Sequence, residues 1–371
     1  MNFANLITGP LSFLFISGFA FLLVYMAIPS IIHVADQRKL FDNNDLQRKS
    51  HRSGISRLGG VAVFCSLILT TLLFSNFLES KTSNFFITAF ILIFAVGLKD
   101  DLWGVNPSTK FFMQLFSALT VVFLADIRIT DLHGIFGIYA LPYWISVVFS
   151  TTLIIFITNS FNLIDGIDGL VGMTGIIVSF SFGILLAVMG LHAYACLAFT
   201  ITGASFGFLL FNISPAKIFM GDAGSMLIGL VASILAIKFI EANIAGISVP
   251  AKFVSAPAIA IAILIGPIND VLRVFIIRIF KGSSPFVADL NHTHHRFLRL
   301  GFNHFQTTFI LISFNNFLIA GVLYFHDWGN MILIGLMFSF CVLFNATLTY
   351  LIHTKERRVY KTLLRTQLVQ S

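Results

Sequence analysis

Apolar runs of roughly 20 residues recur from one end of the chain to the other, and they constrain its fold more than any other feature. Each run is long enough for a helix to cross the hydrocarbon core of a bilayer. Of the 371 residues, 57% are hydrophobic and only 11% are charged, whereas about 25% charge is usual for a soluble domain. The sequence therefore predicts an all-α polytopic membrane protein that is embedded in a lipid bilayer.

We predict about 11 transmembrane helices, separated by short breaks that contain turn residues such as Gly104 and Pro107. The predicted spans cover approximately residues 6–32, 59–78, 83–98, 109–125, 142–158, 169–189, 193–211, 223–240, 252–270, 306–325 and 329–351. The expected organisation is a single membrane-embedded domain, residues 1–351, followed by a basic cytoplasmic tail, residues 352–371.

The orientation follows from the positive charges in alternate breaks. Nineteen of the 23 Lys and Arg residues fall in one set of breaks, and short loops rich in these residues stay on the cytoplasmic side. This distribution puts the N-terminus outside and the C-terminus in the cytoplasm. The net charge of +7 is explained by this orientation, so we expect no nucleic acid as a partner.

The carboxylates have the same asymmetry, which the orientation rule does not explain because acidic residues contribute little to topology. Eleven of the 16 Asp and Glu residues lie in the cytoplasmic set of breaks or, for Asp270, at the span end beside one. Charged groups at the edge of hydrocarbon are costly, and a functional site is the usual reason to retain them. Because the acidic breaks follow every second span, we expect them to converge on one membrane face.

Asp100 and Asp101 end the third span, where two acids face the negative end of a helix dipole unless a cation compensates. A divalent metal ion or a nearby lysine would provide that cation, and a solvated pair of loop residues is the alternative. Lys110 opens the next span and is expected to meet either lipid headgroups or a phosphate.

Residues 159–168 contain two amides and two acids in ten positions, with glycines that allow tight turns. All of these are oxygen donors, which suits Mg²⁺ completed by water and substrate phosphate. Asp222 begins the eighth span, so it is expected either to cap that helix or to help bind a metal ion or phosphate. Phe219 is expected to stack on a planar base or to anchor its loop in the membrane.

The last group comprises His292, His294, His295 and Arg296. These residues suit donors to a diphosphate, and a zinc site is the alternative. The first cytoplasmic loop, which contains Lys49, suits either anionic headgroups or an anionic lipid substrate. A secondary transporter is the rival function, although transporters place their acids near the bilayer midplane and in repeated halves.

These segments, in this order and each after every second span, resemble those of the polyprenyl-phosphate N-acetylhexosamine-1-phosphate transferase superfamily. The resemblance extends over nearly the whole chain, from Lys49-Ser50-His51 and Arg57-Leu58-Gly59-Gly60, through the asparagine-aspartate segment and Met220-Gly221-Asp222-Ala223-Gly224-Ser225, to His295. The sequence looks like the members that start O-antigen, enterobacterial common antigen and teichoic-acid linkage units. The peptidoglycan type has consecutive histidines, whereas Thr293 interrupts them here.

The resemblance implies roles for particular residues. Asp222 and Asn162 look like ligands of Mg²⁺, with Mn²⁺ as a possible substitute, and Asp100 looks like the group that activates the lipid phosphate. The other residues that the resemblance implies at the catalytic centre are Asp101, Asp165, Lys110, His292, His294, His295 and Arg296. Those implied in substrate binding are Lys49, Asn159, Asp168, Asn212 and Phe219.

The implied reaction is transfer of a HexNAc-1-phosphate, with GlcNAc as the default sugar, from a UDP-sugar to undecaprenyl phosphate, with release of UMP. The implied location is the bacterial inner membrane, with the active site facing the cytoplasm, and a homodimer is possible. The alternatives are a phospho-MurNAc-pentapeptide transferase of peptidoglycan synthesis and, from a different class, the secondary transporter.

Overall fold

The computed structural model describes residues 10–40, 54–74, 81–244, 247–280, 282 and 292–370. Within these residues the helices are α1 (Pro10–Arg38), α2 (Gly59–Phe74), α3 (Lys81–Trp103), α4 (Pro107–Leu119, continued by a π-helical turn, Thr120–Leu124), α5 (Tyr143–Leu163), α6 (Leu170–Val188), α7 (His192–Asn212), α8 (Gly221–Ala242), α9 (Ala256–Phe280), α10 (Thr293–Leu300), α11 (His304–Tyr324) and α12 (Asn330–Gln370). A small antiparallel hairpin, β1 (Asp131–Ile135) and β2 (Ile138–Ala140), lies between α4 and α5. The predicted all-α class is confirmed.

Each predicted span overlaps one helix of the described chain. In the described residues, nine helices are long and apolar enough to cross a membrane, namely α1, α4 with its π-helical turn, α5, α6, α7, α8, α9, α11 and α12. The 16-residue α2 is apolar but shorter. The chain is therefore a multi-pass membrane protein, while the number of 11 crossings and the orientation of the termini stay predictions.

Two helices extend ten residues or more beyond their predicted spans. The apolar stretch after residue 270 prolongs α9 to Phe280. Likewise, α12 continues unbroken past residue 351 to Gln370, so the basic tail begins within a helix.

Helix α8 lies at the centre of the bundle, and nearly all of its residues are buried. A helix that is apolar on every side can be buried in this way. Its neighbours approach closely because small residues line the contacts. A Cβ atom added to Gly60 on α2 would overlap the backbone of Gly224, and one added to Gly97 on α3 would overlap Ala223. The N-terminus of α8 is thereby held against α2 and α3.

The opposite end of α8 is fastened by a carboxylate. Glu241 accepts hydrogen bonds from the backbone N–H and the hydroxyl of Thr130, both at 2.7 Å. This contact ties α8 to the segment that leads into the β-hairpin, at the end of the bundle remote from Asp222.

Candidate active site

Lys110 links two of the acidic breaks. Its ammonium Nζ lies 3.0 Å from Asp100 Oδ2 and also contacts Asp222 Oδ2. Asp100 is further fixed by the backbone N–H of Val105, 2.6 Å from Oδ1. The lysine, at the start of α4, is therefore the cation that compensates Asp100 at the C-terminal end of α3. The alternative of a solvated loop pair is wrong for Asp100.

Asn162, in the last turn of α5, completes this group. Its Nδ2 donates to Asp222 Oδ1 at 2.7 Å and contacts Ser225 Oγ at 3.1 Å. Asp222 consequently has one oxygen on a lysine and the other on an amide. Side chains from α3, α4, α5 and α8 meet at this point. The sequence predicts this meeting, because the acidic breaks follow every second span and so lie on one face.

Two further acids bind the N-terminus of α8. Asp101 Oδ1 accepts the N–H of Asp222 at 2.8 Å, and Asp101 Oδ2 accepts that of Ala223 at 3.0 Å. Asp165 Oδ2 accepts the N–H of Gly221 at 2.9 Å. The first amides of a helix lack partners within it, and carboxylates there are favourable to the helix dipole. The alternative in which Asp222 caps α8 is therefore wrong, because Asp101 and Asp165 cap it from other elements.

Burial dominates the electrostatics of Asp165. Together with the nearby charge of Asp222 it raises the pKa of Asp165 well above its usual value, even though the Gly221 N–H opposes the shift. Several carboxylates thus share a small region with two cations, Lys110 beside Asp100 and Asp222, and Arg57, whose charge acts to lower the pKa of Asp165. Such a region attracts a cation.

Asp168 joins three segments. Its Oδ2 lies 3.2 Å from the N–H of Ala216, and its Oδ1 lies 3.2 Å from Nδ1 of His304, at the start of α11. Thr308, one turn later, donates its hydroxyl to the Asp168 carbonyl at 3.0 Å. Burial acts to raise the pKa of Asp168, but the hydrogen bond and charge of His304, together with hydrogen bonds from Ala216 and Ser214, outweigh it, so the pKa lies below its ordinary value.

Asn212 and Phe219 hold the loop between α7 and α8 in place. The buried Asn212 side chain accepts the N–H of Gly169 and donates to the Ile218 carbonyl, both at 2.8 Å. The backbone of Phe219 bonds to Ser56 and Gly59, at 2.8 and 3.0 Å. The loop that carries Asp222 is thereby joined to the segment before α2.

Asn159 lies one turn before Asn162, and it faces α4. It exchanges two hydrogen bonds of 3.0 Å with the buried Gln114, and its Nδ2 also donates to the Ile155 carbonyl. This amide pair fixes the spacing of α4 and α5 beneath Lys110.

The histidine segment packs against the acidic loop through α10. His294 is almost fully buried, and a Cβ atom on Gly166 would lie 2.7 Å from its Nε2. Its ring stacks on His292 with centroids 5.7 Å apart and lies 4.3 Å from the ring of His295. Burial lowers the pKa of His294 to about 4, so at neutral pH this ring is uncharged.

Arg296 binds α12. Its guanidinium contacts the Asn345 side chain and carbonyl, both at 3.4 Å, and the Thr349 hydroxyl, all on α12. Lys49 lies outside the described residues.

The donor set fits a hard divalent cation such as Mg²⁺. Asp222 and Asn162 offer carboxylate and amide oxygens, and Mg²⁺ needs only one or two protein ligands when substrate phosphates supply others. Both oxygens of Asp101 are bonded to backbone amides of α8, which cannot turn away, whereas the partners of Asp222 are the side chains of Lys110 and Asn162. No group of three or more His, Cys, Asp or Glu side chains suited to a metal ion occurs in the described residues, which disfavours the zinc alternative for the histidines they include.

Three residues of this region were not singled out by the sequence. Asp270 on α9 binds His292, Gln114 on α4 pairs with Asn159, and His304 contacts Asp168. Each is a polar residue inside or beside a predicted span. Placing a polar side chain there is costly, and this is the signal that could have drawn attention to it.

Comparisons with known proteins show which family the sequence resembles. The family model of glycosyl transferase family 4 matches residues 83–240. A decaprenyl-phosphate N-acetylglucosaminephosphotransferase of Mycolicibacterium smegmatis is 33% identical over 279 residues, which are 70% of this chain and 68% of the relative. A probable undecaprenyl-phosphate N-acetylglucosaminyl 1-phosphate transferase of Bacillus subtilis is 30% identical over 265 residues, 69% of each chain. An undecaprenyl-phosphate alpha-N-acetylglucosaminyl 1-phosphate transferase of Yersinia pestis is 28% identical over 310 residues, 81% of this chain and 79% of the relative.

The helical bundle and its cluster of acids around a lysine are those of a membrane-embedded transferase. The chain belongs to the polyprenyl-phosphate N-acetylhexosamine-1-phosphate transferase superfamily. This membership favours the transferase over the transporter.

Proposed function

We propose that this protein transfers GlcNAc-1-phosphate from UDP-GlcNAc to undecaprenyl phosphate and releases UMP. The names of its relatives support the sugar and the polyprenyl phosphate acceptor. The observation that carries the proposal is the bridge from Lys110 to Asp100 and Asp222, beside Asn162. It concentrates a cation and oxygen donors where several helices end, as transfer between two phosphate-bearing substrates requires.

An oxygen of the lipid phosphate attacks the β-phosphorus of the nucleotide sugar. The bond from that phosphorus to the oxygen shared with the α-phosphorus breaks, and UMP leaves with the electron pair. A phosphate monoester has a second pKa of about 6 and is largely ionised at pH 7. A general base is therefore a modest requirement, which Asp100 meets when its contact with Lys110 is exchanged for one with substrate.

Charge neutralisation is the larger requirement, because an anion attacks a diphosphate that is itself negatively charged. The Lys110 ammonium can turn from Asp100 and Asp222 toward the diphosphate and donate to its oxygens. Residues His292 and His295 belong to the segment packed on the acidic loop, where they can donate to the sugar phosphate. Asp168 and Phe219 are the candidates for the nucleotide end.

Asp222 and Asn162 are the residues that would hold Mg²⁺. When bound, the ion supplies positive charge to the diphosphate and the departing phosphate. Asp165 and Asp101 act indirectly, because their bonds to the first amides of α8 fix the position of Asp222.

We further propose that the site faces the cytoplasm from the bacterial inner membrane, with the N-terminus outside. The charge asymmetry of the breaks supports this orientation. A site at the ends of the helices lies at the depth of the lipid phosphate, which provides proximity. The lipid-diphosphate sugar would then start a cell-surface polysaccharide, and a homodimer is compatible with this role.

The test is UMP release by purified protein supplied with undecaprenyl phosphate and one of three donors: UDP-GlcNAc, UDP-GalNAc or UDP-MurNAc-pentapeptide. We expect release with UDP-GlcNAc only when the lipid phosphate and Mg²⁺ are both present, and loss of release after EDTA treatment. Release of UMP without the lipid would indicate a hydrolase. Use of UDP-MurNAc-pentapeptide alone would indicate the peptidoglycan type.

A further inference from the structure

Asp270 forms the most completely buried carboxylate–histidine contact among the ion pairs of the described residues. Its side chain is on α9, and Asp270 is 5% exposed while His292 is 7% exposed. Asp270 Oδ2 lies 2.8 Å from His292 Nδ1, and Asp270 Oδ1 accepts the N–H of Thr293 at 2.6 Å. Both oxygens therefore hold the first residues of α10, which bears the remaining histidines.

The contact fixes the histidine chemically as well as in space. An ionised carboxylate can only accept hydrogen bonds, so Nδ1 of His292 must carry the proton. The Nε2 atom is then left as an acceptor in the neutral ring and as a second donor in the protonated ring. Without Asp270, either tautomer would be available and the ring could rotate.

His292 is coupled to the acidic loop through its neighbour. The ring of His292 is nearly parallel to that of His294, with an interplanar angle of 6°. His294 in turn abuts Gly166, which stands between Asp165 and Asp168 in the chain. The position of His292 consequently sets the position of the histidine rings relative to the acids.

A simple role in stability does not explain this arrangement well. Burying a carboxylate in a helix that can cross the membrane is costly, and an apolar residue would serve packing at lower cost. The buried charge is expected where a particular geometry is needed, as in the partners that orient catalytic or metal-binding histidines.

We propose that Asp270 is a positioning residue that fixes the tautomer and orientation of His292 and anchors the start of α10 beside the substrate diphosphate. This inference rests on the proposed transfer reaction. Asp270 itself does not touch substrate, because both of its oxygens are occupied by α10.

The test compares Asp270→Asn with the wild type for kcat and for KM of UDP-GlcNAc. Asparagine keeps an oxygen for the Thr293 N–H but places an amide donor opposite Nδ1. We expect kcat to fall about 10- to 100-fold, in the range for residues that orient functional histidines, with KM changed less than about threefold.

A double-mutant cycle separates positioning from general damage. If Asp270 acts through His292, Asp270→Asn should reduce kcat less than about twofold further in a His292→Ala protein. Losses that simply multiply would contradict the inference, as would an Asp270→Asn protein with the kcat of the wild type. Glu241→Gln, a carboxylate-to-amide change at the other end of α8, is the matched control and should leave kcat unchanged.

Should Asp270→Asn fail to elute as a folded protein, Asp270→Glu provides a second measurement. It retains a carboxylate, but the added methylene displaces the contact with Nδ1 of His292, so kcat should fall while KM of UDP-GlcNAc changes less than about threefold. Wild-type kcat in this variant, or a KM that changes as much as kcat, would contradict the inference. Absence of UMP release by the wild type would instead refute the proposed transfer reaction.

Discussion

Replacing Asp101 tests whether this acid serves chiefly as the cap of α8. Asp101 accepts hydrogen bonds from the backbone N–H groups of Asp222 and Ala223, at 2.8 and 3.0 Å, and Asp101→Ala removes both acceptors. Each buried donor left without a partner costs about 1–3 kcal/mol, so the free energy of unfolding should fall by about 2–6 kcal/mol. In Asp101→Asn one acceptor oxygen remains, and the expected loss is about half as large.

The measurement is the melting temperature of purified protein in detergent, followed together with transferase activity. We expect Asp101→Ala to melt well below the wild type, and Asp101→Asn to lie between the two. Asp327→Ala is the control, because its side chain is 78% exposed and its replacement should change the melting temperature little. An Asp101→Ala protein that melts like the wild type and yet has lost activity would refute the capping role and favour direct catalysis.

Three further variants test other contacts. Asp222→Ala should reduce UMP release at least about a hundredfold while the protein stays folded, and wild-type turnover would exclude the proposed metal and phosphate site. Gly166→Ala should lower kcat, since its Cβ atom would lie 2.7 Å from Nε2 of His294. Gly335→Ala is the control, because a Cβ atom added to Gly335 would have no atom within 4 Å. Equal activities in the two variants would show that the His294 ring need not occupy its observed place. His304→Ala should raise KM for the UDP-sugar about 3- to 10-fold, with a smaller effect on kcat, because Asp168 loses a charged hydrogen bond. An unchanged KM would contradict a role of Asp168 in binding the nucleotide.

The positions of the helices could be predicted from the sequence because a bilayer imposes one length and one polarity on every crossing. The meeting of Lys110, Asp100, Asp222 and Asn162 could also be anticipated. Breaks that follow every second span must lie on the same face, and acids beside hydrocarbon need cations. Neither inference requires knowledge of which helices are neighbours.

The partner of each polar side chain could not be predicted in the same way. Asn159 and Asn162 are alike in sequence, but helical rotation directs one to Gln114 and the other to Asp222. Asp101 is next to Asp100 in the sequence, yet its oxygens accept hydrogen bonds from backbone amides of α8, which lies over a hundred residues later.

Bundle packing decides these outcomes. It also brings Asp270 on α9 into contact with His292. The sequence pattern predicted the end of this helix at residue 270, ten residues before its end at Phe280.

The most direct test of the proposed reaction follows the two phosphorus atoms of UDP-GlcNAc separately. Purified protein is incubated with undecaprenyl phosphate and with donor carrying isotope in either the α- or the β-phosphate. We predict that β-label passes to the lipid while α-label is released as UMP, in equal amounts. Recovery of both labels in released UDP, or of β-label in water-soluble sugar phosphate, would contradict transfer of a sugar 1-phosphate by this site.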